Sequence, residues 1–237
     1  MRFNPPLARG LLIRRYKRFL ADVETGDGVL TLHCANTGAM SGCSAPGLEV
    51  WYSTSSNPER KYAHSLEVVC SPEGRVGVNT ARANALVAEA LALDRICELR
   101  GYAQVRPEVR IPDGAAGART GRFDFLLDGE AGRCWVEVKS LTLCLPQGRG
   151  AFPDAVSERA LRHVEALARR RRQGERAVLL FCVQHTGVRF ATPADEVHPA
   201  YGSALRAAER DGVEVLAYGC SIEPAVMEVT APMPVTL

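Results

Sequence analysis

The sequence predicts a mixed α/β protein of two domains: a small all-β unit over residues 1–78, then an α/β unit with a mixed sheet over residues 79–237. Three observations carry this expectation. Up to about Val78 the chain is a series of short strand-like runs broken by Gly, Asn and Pro clusters. At Asn79 the hydrophobic period changes to that of a helix. Beyond it, helical and strand patterns follow in the order α-β-β-β-α-β-α-β. With 237 residues, 46% hydrophobic and 24% charged, the chain has ample apolar material for a packed core.

In order, LLIRRY and RFLADVE come first and a TGDG turn follows them. VLTLHC, LEVWYS, SLEVVC and RVGVN complete five or six strands in under 80 residues, a size that fits an OB-type barrel. NTARANALVAEALALDRICELRG then reads as a helix, with Asn79 as N-cap, Leu86, Val87, Ala90 and Leu91 on one face, and Gly101 past the end. Three strands are expected in AQVRPEVRI, RFDFLLD and RCWVEVKSLTL. The loop LPQGRGAFPD leads to a second helix over residues 154–173, with Val156, Leu161, Val164 and Leu167 on its apolar side. A strand (AVLLFCVQ), a helix (YGSALRAAERDG) and a strand (VEVLAYG) close the series.

Bulk properties exclude several classes. No apolar run approaches the roughly 18 residues of a membrane span, and MRFNPPLARG lacks a signal-peptide core, so a cytoplasmic protein without membrane contact is expected. The eight cysteines are scattered without Cys-x-x-Cys or zinc spacing, which points to reduced, packed thiols. A net charge of +2 does not by itself indicate nucleic acid, so any basic surface must come from clustering.

The chemistry concentrates in RFDFLLDGEAGRCWVEVKS. Alternation sets Trp135, Glu137 and Lys139 on one strand face and Val136 and Val138 on the other. In the preceding strand Asp124 lies between Phe123 and Phe125, which take the opposite face, and DGEAG is a natural hairpin turn. Two adjacent strands can therefore bring Asp124 to Glu137 and Lys139. Asp124, Glu137 and the carbonyl of Val138 form a candidate ligand set for Mg²⁺ or Mn²⁺, with Lys139 placed to orient water or neutralise a phosphate. Of 29 Lys and Arg only Lys17, Lys61 and Lys139 are lysines, so a lysine in VEVKS carries information. The competing reading is a Glu–Lys pair on a solvated strand face.

These residues resemble the PD-(D/E)XK nuclease core, with Asp124 followed by Glu137-Val138-Lys139 and Phe123 standing where that pattern has proline. Nearly the whole chain resembles the sugar fermentation stimulation protein A family. FNPPL, RYKRFLADV, HCANTGAMSGC, WYSTSSNPERKYAHS, VNT, RFDFLL, VEVKS, FPDAVSERALRH and PVTL carry the likeness, with Ala35 where proline is expected. The resemblance implies an N-terminal OB-like domain, a nuclease-like C-terminal domain and DNA binding. It also suggests Glu89 as an additional acidic ligand.

Further candidate contacts surround this core. Arg14, Arg15, Lys17 and Arg18 interleave with Tyr16 and Phe19, a pattern suited to phosphate contact and base stacking, or equally to a charged edge strand. Asn36 and Thr37 lie in a small-residue loop able to approach a sugar–phosphate backbone or simply to turn. Arg122 heads the hairpin, and Arg159 and His163 share a helix face at i, i+4 where they could hold a phosphate. The run Arg169 to Arg172 reads as a solvated helix end. The functional expectation is DNA binding with little sequence preference through the backbone, together with Mg²⁺-dependent phosphodiester hydrolysis. The alternative is a non-catalytic DNA-binding regulator of sugar (maltose-type) metabolism genes. RNA as ligand and a homodimeric state stay open.

Overall fold

Eleven glycine- and polar-flanked apolar runs become strands in the expected places, and the computed structural model describes residues 1–36, 38–111 and 121–237. The first sheet contains β1 (Ala8–Tyr16), β2 (Leu20–Thr25), β3 (Gly28–His33), β4 (Glu49–Thr54), β5 (His64–Ser71) and β6 (Gly74–Gly77). Its order is β3-β2-β1-β4-β5-β6, and a parallel pairing of His33 with Ser65 joins β3 to β5. That pairing closes β1 to β5 into a five-stranded barrel, the OB domain expected from the sequence. Leu12, Val23, Leu32, Val50, Leu66 and Val69 fill its interior. Gly10 is needed where β1 crosses β2, because a Cβ there would meet Val23 Cγ1 at 2.5 Å and the Glu24 carbonyl at 2.6 Å.

The second sheet is mixed, in the order β15-β14-β12-β9-β8-β7. Its strands are β7 (Gln104–Arg110), β8 (Arg122–Gly129), β9 (Gly132–Leu141), β12 (Arg176–Val183), β14 (Glu214–Glu223) and β15 (Val226–Pro232). The parallel strands β9, β12 and β14 sit in the middle, flanked by antiparallel neighbours. The unbroken apolar run of β12 fits this place, since a central parallel strand is covered on both faces. Helix α1 (Arg82–Ala92) packs on one face through Leu86, Val87 and Ala90, against Phe125, Val136, Val138 and Leu180. Helices α2 (Glu158–Arg172) and α3 (Pro199–Arg210) cover the other, where Val164, Leu167, Tyr201 and Leu205 meet Trp135, Leu179 and Phe181. A small sheet of β10 (Leu143–Leu145), β11 (Arg149–Phe152) and β13 (Phe190–Pro193) lies beyond the end of β9.

The barrel is joined to the second unit on the α1 side. Leu7, Trp51 and Val68 share one apolar core with α1 and the mixed sheet. Beside it, Glu67 of β5 is fully buried and accepts from both Arg82 Nε and Nη2 (3.0 and 2.6 Å), from Asn79 Nδ2 (2.9 Å) and from Ser53 Oγ (2.7 Å). The N–H of Gly77 donates to the Gln184 carbonyl at 2.8 Å, and Gln184 Nε2 donates back to the Gly77 carbonyl at 3.2 Å. The first residues lie against the C-terminal hairpin, with Phe3 and Leu7 donating to the Ala225 and Pro224 carbonyls.

Several expectations are corrected. Helix α1 begins at Arg82, with Ala81 in the cap position and no side-chain cap. Asn79 instead accepts from the Ala81 N–H and donates to Glu67. The second helix begins at Glu158, because Ser157 caps it by accepting from the Ala160 N–H at 3.2 Å; Val156 is left outside and exposed. Arg170 is not solvated: it is buried, with its guanidinium 5.9 Å from the centre of the Trp135 ring and bonded to Glu175. All eight cysteines are free thiols, and Cys97 is exposed. Among the described residues no helix is long and apolar enough to cross a membrane.

Candidate active site in the cleft between barrel and sheet

The site begins where two paired strands part. β8 and β9 run antiparallel from Gly129↔Gly132 to Phe125↔Val136, and their pairing stops there. The next residue on β8 is Asp124, whose side chain replaces the lost backbone partner: Oδ2 accepts the Val138 N–H at 2.7 Å. Across the other edge of β8, Glu108 of β7 has φ 53°, so the strand is irregular on both sides of this point. As a result Phe123 packs with the α2-side core and Phe125 with the α1-side core, not on one common face as the alternation suggested. Asp124 Oδ1 accepts from Asn84 Nδ2 of α1, also at 2.7 Å. Both carboxylate oxygens are thus held.

On β9 the expected alternation holds. Val136 and Val138 enter the α1-side core and Trp135 the opposite one. Glu137 and Lys139 are only 3% and 8% exposed, which rules out the solvated-face reading. Lys139 Nζ donates to Glu137 Oε1 at 2.7 Å, and the same oxygen is in close contact with His163 Nδ1 from α2. Glu137 Oε2 is buried and has no hydrogen-bond partner. An unpaired buried carboxylate oxygen is costly, so a site built this way has capacity for a cation.

The two carboxyl groups differ in proton affinity. Burial, reinforced by the nearby charge of Glu137, pushes the Asp124 carboxyl up to about 6. Burial also works to raise Glu137, but the His163 hydrogen bond and the Lys139 charge outweigh it and leave that carboxyl below its usual value. A cleft of about 430 Å³ opens over the pair. Asp124, Glu137, Lys139 and Asn84 contribute to its lining, Arg159 lies on the α2 side, and Arg18 and Asn36 come from the barrel.

The remaining sequence candidates divide clearly. Arg18, Asn36 and Arg159 line the cleft. His163 is buried against Glu137, so it orients that carboxylate and is not an open phosphate ligand. Arg15 is structural: its Nη2 donates to the carbonyls of Arg18, Asn36 and Gly38, holding the cleft-side loop of the barrel. Arg14 and Tyr16 are engaged with Asp22, at 2.8 and 3.1 Å, and stack on each other. Lys17 forms the β1–β2 turn with φ 49°. Arg122 is exposed and pairs with Glu108 at 3.8 Å. Glu89 is drawn away from the pair, because it accepts from the Met1 ammonium group. Thr37 lies outside the described residues. Sequence reasoning missed Asn84 and Glu67; a glutamate inside the apolar run LEVV was the available signal for the second.

Among the described residues no three His, Cys, Asp or Glu side chains gather as a ready-made metal cluster. The donor set is therefore two carboxylates plus backbone. In a strand the N–H and C=O of one residue face the same neighbour. The Val138 N–H faces Asp124, so its carbonyl is directed to the same parted edge. Two carboxylates, one carbonyl and water suit Mg²⁺, which is commonly held by one or two carboxylates and keeps several waters.

Residues 13–78 match the SfsA N-terminal OB domain, and residues 81–226 match the sugar fermentation stimulation protein RE domain. This chain belongs to the sugar fermentation stimulation protein family. Its relatives include the sugar fermentation stimulation protein homologs of Shewanella loihica, 49% identical over 240 residues and covering all of both chains, and of Geobacter metallireducens, 45% identical over 238 residues with the same coverage. The structure of Pyrococcus furiosus SfsA in complex with Ca²⁺ superposes with a TM-score of 0.86 at 23% identity, covering 100% of this chain and 98% of that one. The family fold, an OB barrel followed by a mixed-sheet domain, is thus the fold of this chain.

Proposed function

We propose that the cleft is a metal-dependent phosphodiesterase site acting on DNA, with little sequence preference. The observation that carries this reading is Glu137 Oε2, buried and without a partner in the same cleft as Asp124. Asp124, Glu137 and the Val138 carbonyl would hold Mg²⁺ or Mn²⁺; the Ca²⁺ of the Pyrococcus furiosus relative supports a divalent ion of this type. Such an ion supplies an activated water and positive charge against the attacked phosphate. The chain's own groups do the rest. Lys139 brings an ammonium next to the acidic pair, where it can neutralise charge developing on the phosphate. Asn84 and His163 fix the two carboxylates, and Arg18 and Arg159 offer cationic contacts for flanking phosphates. No zinc finger or helix-turn-helix pattern offers base readout in the sequence, which favours backbone recognition.

Cleavage by the purified chain with Mg²⁺ or Mn²⁺ is the test. Asp124→Ala and Lys139→Ala should abolish cleavage while DNA binding persists and weakens steeply with salt. Absence of cleavage on every DNA and RNA form tried would defeat the hydrolytic reading. Protection of particular promoter sequences over random DNA, indifferent to Lys139 substitution, would favour the non-catalytic regulator.

A further inference from the structure

We infer that the cleft takes an unpaired nucleic-acid strand, and that intact duplex is excluded from it. This rests on the reading of the cleft as a nucleic-acid site. Three features of its shape lead there. The charged groups of the site lie low in the cleft: Glu137 is 3% exposed, Lys139 8%, and Asp124 is half-buried. A single strand brings its phosphate to such a floor without a second strand having to fit between the walls. The volume, about 430 Å³, lies at the small end of the roughly 300–1,000 Å³ of ordinary ligand pockets.

The walls, moreover, belong to both domains and touch each other. Gly38 of the barrel loop abuts Asp154, in the segment before α2, so closely that any side chain at Gly38 would collide with the carboxylate. Arg18 and Asn36 stand on the barrel side, and Asp154, Ser157 and Arg159 on the other.

The third feature is a junction whose contacts oppose widening of the cleft. Widening it would part the apolar core shared by Trp51, Val68 and Leu86. It would also strip four hydrogen bonds from the buried Glu67 carboxylate. The reciprocal bonds between Gly77 and Gln184, and between Arg75 and Thr186, would break as well. A junction of this kind holds the two walls at a set separation.

The barrel supplies what a single strand needs beyond phosphate contacts. Phe19 follows the cleft-lining Arg18 at the β1–β2 turn and is 43% exposed. An exposed aromatic ring next in sequence to a cleft-lining cation can stack on a base regardless of its identity. In a duplex that base face is covered by its neighbours.

The experiment compares full-length protein on four ligands in Ca²⁺ and in Mn²⁺: an unpaired DNA strand, the same strand as RNA, a blunt DNA duplex, and that duplex with an unpaired tail. The strand and the tailed duplex should bind about tenfold or more tighter than the blunt duplex, and cleavage should map to unpaired positions. DNA and RNA strands distinguish the sugar that is read. Phe19→Ala should weaken strand binding about fivefold or more at unchanged melting temperature, and should leave the weak blunt-duplex binding as it was. Equal affinity for blunt duplex and strand, or internal cuts in blunt duplex at the strand's rate, overturns the inference while leaving hydrolysis standing. Strand preference with no cleavage on any ligand defeats hydrolysis and upholds the inference.

Discussion

Removing the Glu67 carboxylate should loosen the junction that sets the cleft. Glu67 is fully buried, and Arg82, Asn79 and Ser53 direct four donors at it. In Glu67→Ala these donors lose their acceptor, and the Arg82 guanidinium, one-third exposed, is left without its counter-charge. Breaking one partner out of a buried ion pair costs about 3–5 kcal/mol. For a chain of this size each kcal/mol lowers the melting temperature by about 2–4 °C, so a fall of roughly 6–20 °C is expected. Arg82 begins α1 and Asn84 follows two residues later, so the same change should disturb the hydrogen bond to Asp124. Denaturant unfolding of the variant, followed beside a cation-binding titration, measures both effects. The exposed Arg122–Glu108 pair gives an internal comparison: Arg122→Ala should cost less than about 1 kcal/mol. A Glu67→Ala cost as small as that would refute the view that this network fastens the barrel to α1.

Other outcomes follow from the site itself. Because the Asp124 carboxyl is pushed up to about 6, a cation must displace its proton at lower pH, and apparent affinity should fall roughly tenfold between pH 7 and pH 5 by calorimetry. The sign for folding is opposite: a carboxyl raised above its unfolded value of 3.8 favours the native state below about pH 4, and that contribution is lost as pH rises through about 6. Asn84→Ala removes one of the two hydrogen bonds to Asp124 and should weaken cation binding about tenfold, read by the same titration. His163→Ala deletes a contact that holds Glu137 below its usual value, so the acid limb of cation binding should move to higher pH. Gly187→Ala would drive a methyl into the Glu73 carbonyl at the junction with the barrel and should cost about 1–3 kcal/mol in chemical denaturation.

The strands of the barrel and of the mixed sheet were legible because local alternation decides them. The run RCWVEVKS shows its two faces directly, and the structure keeps them as Val136 and Val138 against Trp135 and Glu137. The small third sheet was not legible: LPQGRGAFP carries the Pro and Gly of a loop, and β11 exists only because β10 and β13 pair with it. Strand β15 was likewise overlooked, since it forms by returning on β14 after Pro224. The charges of the site could be placed near one another from the hairpin, but their partners could not. Asn84 lies 40 residues before Asp124 and His163 lies 26 after Glu137, distances over which only packing decides contact. Glu89 looked available in sequence, and only the fold brings the Met1 ammonium to it.

The parting of β8 from β9 also gives the protein a built-in reporter. The Val138 amide proton is bonded to a carboxylate that changes charge near pH 6, not to a neighbouring strand. Its resonance in a nitrogen–proton spectrum should therefore titrate with Asp124 and shift when the carboxylate takes on a cation. One backbone signal, deep in an otherwise regular strand, would then register proton and metal at the same atom.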